Sequence, residues 1–250
     1  MSLTKKDYDI LNRFDFDRPP IGVKYTFKRP ERIDRLGEKM TLCEMLKRAQ
    51  EGNAFYADKN NITCGRSQLG MEDFSPMMQS GNFAAALKVF EEPRSGSRLY
   101  PQIPTIRRDL INYVSFSPLS EFSFDPDVLI ILTNNTSQTQ ILLRATTYRT
   151  ASIWTTKFTN VLGCAWIFVY PYLSGEVNYG IMGLSHGMGR RKLFPEGLQF
   201  VSIPYLIMPS VLQALQDMPW VLPSFKPDGA EFFNRTRDEL AKELPKHIVA

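Results

Sequence analysis

Apolar residues recur along this chain with two periods, and the switches between them lay out its elements. Tyr8, Leu11 and Phe14 stand three apart behind Thr4, a residue able to cap, so the spacing predicts a helix over 4–14. Pro19-Pro20 ends it, and the β-rich alternation Ile21-Gly22-Val23-Lys24-Tyr25-Thr26-Phe27 reads as a strand. Leu42, Met45, Leu46 and Ala49 share one face of a short helix over 42–50, with Gly52 placed to terminate it. A nearly continuous apolar strand at 127–132 precedes a second helical run at 140–145. Two more helices follow, at 205–217, stopped by Pro219, and at 232–244. The last is polar, carries a weakly repelling i,i+4 pair in Glu239 and Glu243, and reads as a surface cover.

The order of elements recurs. Leu46-Lys47-Arg48-Ala49 lines up with Leu142-Leu143-Arg144-Ala145, Cys64 with Cys164, and Tyr113-Val114-Ser115-Phe116 with Phe200-Val201-Ser202-Ile203. A period this long is a duplicated half-domain and not a solenoid repeat. The expected fold is α+β: one mixed β-sheet built from two duplicated strand–helix halves, with N- and C-terminal helices packed outside. The halves are placed at 19–124 and 125–223, followed by a helical tail at 224–250.

Composition narrows the class. Of 250 residues, 43% are hydrophobic and 22% charged, which excludes disordered, collagen-like and coiled-coil chains. The net charge, 30 − 26 = +4, is too small for a nucleic-acid footprint, so no nucleic-acid partner is expected. The N-terminus has no apolar leader, and the longest apolar stretch, 161–170, stops at Pro171, far short of the about 20 residues a membrane span needs. A soluble, cytoplasmic chain with reduced thiols and no membrane contact is the expectation. Residues 151–225 carry only seven charges, which points to deep core with some coverage by a second copy in a homodimer.

Three cysteines, Cys43, Cys64 and Cys164, and two histidines, His186 and His247, carry the candidate chemistry. Three thiols make no disulfide framework, and none form C-x-x-C. Cys43 opens a helix, where the dipole favours a thiolate. His186 lies in a Gly-rich loop beside Arg190 and Arg191. The spacing matches no zinc-knuckle pattern, so a shared metal site stands beside the plainer reading of Cys43 and Cys164 as small buried hydrophobes. Gly183-Leu184-Ser185-His186-Gly187 matches the G-x-S-x-G nucleophile pattern, which needs a strand before and a helix after. A strand fits at 178–182, but the glycines that follow argue against an immediate helix. A serine hydrolase would need Ser185 with Asp217 or Asp228 and His247, near the chain's end. Arg66, Arg190 and Arg191, set beside glycines, are candidate anion-binding groups or supports of the site, and a small anionic ligand is the partner they suggest.

The motifs Leu42-Cys43-Glu44, Arg48-Ala49, Cys64-Gly65, Asp125-Pro126-Asp127 and Gly183-Leu184-Ser185-His186-Gly187-Met188-Gly189-Arg190 resemble domain-of-unknown-function family 169 over roughly residues 10–220. The resemblance brings no reaction. It implies a cysteine at the position of His186, hence a four-ligand set at Cys43, Cys64, Cys164 and His186 for an iron–sulfur cluster or a single transition metal. It also absorbs Ser185 into a family loop. The resulting expectation is a Cys/His metal- or iron–sulfur-binding protein, with a cofactor-free anion-binding or interaction protein as the alternative and the serine hydrolase as the second.

Overall fold

The computed structural model describes residues 3–243. The chain opens with a 3₁₀ helix, Lys5–Phe14, where an α-helical spacing was read; the Asp7 carboxylate accepts from the Thr4 N–H and hydroxyl at its start. Strand β1 (Ile21–Thr26) follows, then the two-residue strands β2 (Asp34–Arg35) and β3 (Met40–Thr41), helix α1 (Leu42–Ala49), and strands β4 (Phe55–Asp58) and β5 (Ile62–Cys64). Short helices α2 (Pro76–Gln79), α3 (Asn82–Ala86) and α4 (Pro93–Leu99) lead to β6 (Tyr113–Pro118). Next come β7 (Val128–Thr133), α5 (Thr136–Thr147), a π-helical turn at Ala165–Val169 continued by α6 (Tyr170–Ser174), and β8 (Asn178–Ile181). Helix α7 (His186–Arg191), β9 (Gln199–Pro204), α8 (Met208–Asp217) and α9 (Gly229–Glu243) complete the order.

The fold is mixed α+β, as expected: a seven-stranded mixed sheet in the order β2-β4-β6-β1-β7-β9-β8, a small parallel pair β3-β5, and flanking helices. Only β2-β4 is parallel in the large sheet. β1 and β7 meet antiparallel at the centre, with Ile21 opposite Ile130 and Val23 opposite Val128. Reading outward from this seam, β1-β6-β4 and β7-β9-β8 have the same order and the same antiparallel sense.

β7 is buried at every position because both sheet faces are covered, which is why it reads as a continuous apolar run instead of an alternating one. Val128, Ile130 and Leu132 pack with α1 and with Ile167, Phe168 and Val169. Leu129 and Ile131 face the opposite way, into a cluster with the N-terminal helix, α5 and α8. Helices α1 and α5, aligned in the sequence through Arg48-Ala49 and Arg144-Ala145, therefore lie on opposite faces. The segment that shares the face of α1 is 165–174.

That segment had no element assigned. Seven consecutive apolar residues, 164–170, hide a helical period, and here they open the helix that crosses the sheet before β8. The sparsely charged stretch divides: residues such as Ile167, Phe168 and Ile203 are wholly buried, whereas Ile153 is 88% exposed. α9 presents Phe233 and Leu240 to solvent, in keeping with a surface cover, and its expected last position, 244, lies outside the described residues. Among the described residues no helix is long and apolar enough to cross a membrane.

Candidate functional site

Each cysteine is set by a local feature of its own. Thr41 caps α1: its hydroxyl accepts the Glu44 N–H at 3.3 Å, and the Glu44 carboxylate accepts the Thr41 N–H at 2.7 Å. This capping box fixes the first turn, where Cys43 is buried against the sheet. Cys64 comes beside the same turn because β5 pairs parallel with β3, Thr41 opposite Cys64. The buried Asn61 holds that approach by donating to the carbonyls of Leu36 at 2.8 Å and Glu38 at 3.0 Å. Gly65 then turns under Leu42 with φ +112°; a Cβ there would stand 2.4 Å from Leu42 Cδ1.

Cys164 arrives from the other half of the sheet, at the entrance to the π-helical turn. Leu162, two residues earlier, has φ +55°, a left-handed conformation uncommon for a branched residue. The loop is fastened to the turn before α7 by two hydrogen bonds: Gly163 N–H donates to Ser185 Oγ at 3.0 Å, and His186 N–H donates to the Asn160 carbonyl at 2.6 Å.

These elements enclose a cavity of about 520 Å³. Cys43, Cys64, Cys164, His186, Arg190 and Arg191 all line it, although they come from both halves of the sheet. Arg66 does not; its guanidinium pairs with Glu72 at 3.0 Å. The remaining wall is mostly apolar and includes Met78, Phe83 and Leu87 around α2 and α3, which sequence reasoning missed. Helices of four and five residues are too short to show a period; the readable signal nearby was the Thr41-x-x-Glu44 capping box.

The thiols differ sharply in electrostatics. Cys64 and Cys164 share a side-chain hydrogen bond. That bond, with help from the nearby Arg191 guanidinium and against the cost of burial, lowers the Cys64 pKa to about 6. The same hydrogen bond, reinforced by burial, holds the Cys164 proton on well above the usual thiol range. Burial, and then the neighbouring Cys64 charge, pushes Cys43 up to about 12. The helix-dipole expectation for Cys43 is thus overridden by desolvation: burial favours the neutral Cys43 thiol, and of the three it is Cys64 that is shifted toward the thiolate. Arg191 also donates to the Gly187 carbonyl at 2.7 Å, which holds it in place.

The expected metal centre finds no support in this arrangement. Among the described residues, no group of three or more Cys, His, Asp or Glu side chains is placed to hold a metal ion. Cys43, Cys64, Cys164 and His186 share a cavity wall without converging as a ligand set, so no iron–sulfur or single-metal chemistry is derived for them.

The serine-nucleophile pattern is half met. β8 precedes Ser185 and, contrary to the sequence expectation, α7 begins directly after it, because Gly187 and Gly189 fit within a short helix. Ser185 is only 2% exposed, however, and its hydroxyl is engaged by Gly163 N–H. His247, the expected base, lies outside the described residues. Ser185 acts as a brace that sequence pattern alone read as a nucleophile.

Cys64 and Cys164, matched in the sequence alignment, occupy unlike stations: the end of a strand and the entrance of a helix. The station like that of Cys164 is that of Cys43, which enters α1 on the same sheet face. Cys64 and His186 each follow, by a few residues, the strand after those helices, β4 and β8.

Comparison with curated proteins and with solved structures yields no match. One family model, DUF169, described as Uncharacterised ArCR, matches residues 9–214, from the first helix through most of α8 and including every cavity residue named above. On that match the chain is a member of domain-of-unknown-function family 169.

Proposed function

We propose that this protein binds a compact acidic molecule in the cavity between its two sheet halves. The observation that carries the reading is the meeting of two arginines, Arg190 and Arg191, with an apolar wall around one cavity of about 520 Å³. That volume lies within the range of small-ligand sites. Arg191 is already engaged with Cys64 and the Gly187 carbonyl. Arg190 is exposed at the rim, where its planar guanidinium suits a carboxylate or phosphate, and Phe83 and Leu87 suit an apolar remainder.

The chain is further read as one domain made of two related halves, 19–124 and 125–223, with a tail at 224–250. The shared strand order on either side of the β1–β7 seam supports this; the opposite placement of α1 and α5 makes 165–174, and not α5, the counterpart of α1.

Thermal unfolding of the full chain with hexanoate and with inorganic phosphate tests the binding reading. One of these anions raises Tm in the wild type, since a ligand held only by the folded state stabilises it by mass action, and Arg190→Ala removes the rise. Equal shifts in both proteins, no shift with either anion, or stoichiometric metal held by the cysteines of anaerobically purified protein overturns it.

A further inference from the structure

We propose that Cys64 and Cys164 form a redox-active dithiol that reduces small disulfides admitted to the cavity and closes into an intramolecular Cys64–Cys164 disulfide. The inference goes beyond ligand binding and does not depend on an acidic ligand. It starts from placement: two cysteines 100 positions apart in sequence, one at the end of β5 and one at the entrance of the π-helical turn, line the same cavity, and a side-chain hydrogen bond couples the ionisation of one to that of the other. Burial assigns their roles. Cys64 is partly exposed and Cys164 is buried, so an incoming molecule meets Cys64 first and Cys164 stands behind it. Both cysteines adjoin a glycine, Gly65 after one and Gly163 before the other.

The chemistry balances with a disulfide, R–S–S–R, as oxidant. The Cys64 thiolate attacks one sulfur of R–S–S–R; the S–S bond breaks, and the departing RS⁻ takes a proton from water. Cys64 is now a mixed disulfide and has lost its charge. The charge and hydrogen bond that kept the proton on Cys164 go with it. Cys164 then attacks Cys64 Sγ, the second RS⁻ leaves, and the Cys164 proton ends on it. Two electrons pass from the protein to the small disulfide, which leaves as two RSH. Returning the protein to its dithiol takes a reducing thiol from solution. Arg191 supports the first step by stabilising the Cys64 thiolate. Cys43, held as a neutral buried thiol, takes no part.

The experiment uses the full, reduced chain with 2-hydroxyethyl disulfide, followed by mass spectrometry and thiol titration. The expected wild-type product is protein lighter by two hydrogens, with Cys64 and Cys164 joined in peptide mapping and no adduct retained. Cys164→Ser retains a stable mixed disulfide on Cys64, Cys64→Ser is unreactive in the native state, and Cys43→Ser behaves as the wild type. Matching near-ultraviolet circular dichroism of the variants establishes that each is folded. The first step is expected to gain rate with pH through about 6, against about 8.5 for an ordinary thiol. A stable adduct on wild-type Cys64, a disulfide that involves Cys43, or a rate that follows an ordinary thiol overturns the proposal and leaves a structural hydrogen-bonded pair. A charged disulfide, dithiodiglycolate, separates the two readings: preference for it that Arg190→Ala abolishes supports the acidic-ligand site, and equal reactivity of both disulfides overturns that site while the dithiol stands.

Discussion

Ser185 Oγ accepts the N–H of Gly163 at 3.0 Å, so the loop that resembles a nucleophile elbow is tied to the residue immediately before Cys164. The bond is buried. Ser185→Ala leaves the Gly163 N–H without its acceptor, and an orphaned buried donor costs about 1–3 kcal/mol. Urea unfolding is expected to show that loss, and a fluorophosphonate is expected to leave Ser185 unlabelled in the wild type.

Removing the Arg191 charge tests what holds Cys64 ionised. Arg191→Ala takes away a favourable charge and a hydrogen bond from the thiolate, while the Cys164 hydrogen bond remains. The Cys64 pKa is expected to rise but to stay below that of an ordinary thiol. The pH profile of Cys64 alkylation by iodoacetamide, read by mass spectrometry, checks this through a shift of its midpoint to higher pH.

The thiols also give stability a pH dependence with opposite signs in two windows. Cys64 ionises at a lower pH folded than unfolded, so its contribution is fully present above the unfolded value of about 8.5 and is lost as pH falls toward about 6. Cys43 and Cys164 are raised on folding, so their contribution holds below about 8.5 and is lost as pH climbs further. The urea midpoint of the wild type, relative to Cys64→Ser, is expected to increase from pH 6 to 8. Above pH 9 the wild type loses stability relative to Cys43→Ala.

Gly65 stands where a Cβ has no room. Gly65→Ala forces a Cβ against Leu42 Cδ1 and an L-residue into φ +112°. A loss of roughly 1–3 kcal/mol is expected from the backbone conformation alone, with more from the clash. Pairing it with Leu42→Ala in a double-mutant cycle is expected to recover the clash and leave the backbone cost.

Much of the sheet was legible because its strands announce themselves. β1 and β7 fall where alternation or an apolar run placed them, and α1 matches its amphipathic face within a residue. What failed did so for identifiable reasons. In residues 161–170, packing on nearly every side removes the polar face that marks a helix, so a crossing helix looked like an unassigned apolar run. The Arg-Ala recurrence aligned α1 with α5 because sequence cannot tell which sheet face a helix covers. The same alignment sets Cys64 against Cys164. Both line the same cavity, one from a strand end and the other from a helix entrance. The apolar wall around α2 and α3 had no periodic signal at all. The cysteines, His186, Arg190 and Arg191 were visible as scarce residues, but which thiol is charged depends on hydrogen bonding and depth.

The β1–β7 seam has a mechanical consequence. It is ladder-paired at three positions, whereas β1–β6 and β7–β9 are each paired at six. Parting the sheet along that line breaks fewer inter-strand hydrogen bonds than parting it at either neighbouring pair. Cys64 lies in the chain between β1 and β6, on one side of the seam, and Cys164 in the chain between β7 and β8, on the other. A bond between their sulfurs would act as a clasp across the line of least resistance, and amide exchange along β1 and β7 would slow when the clasp closed.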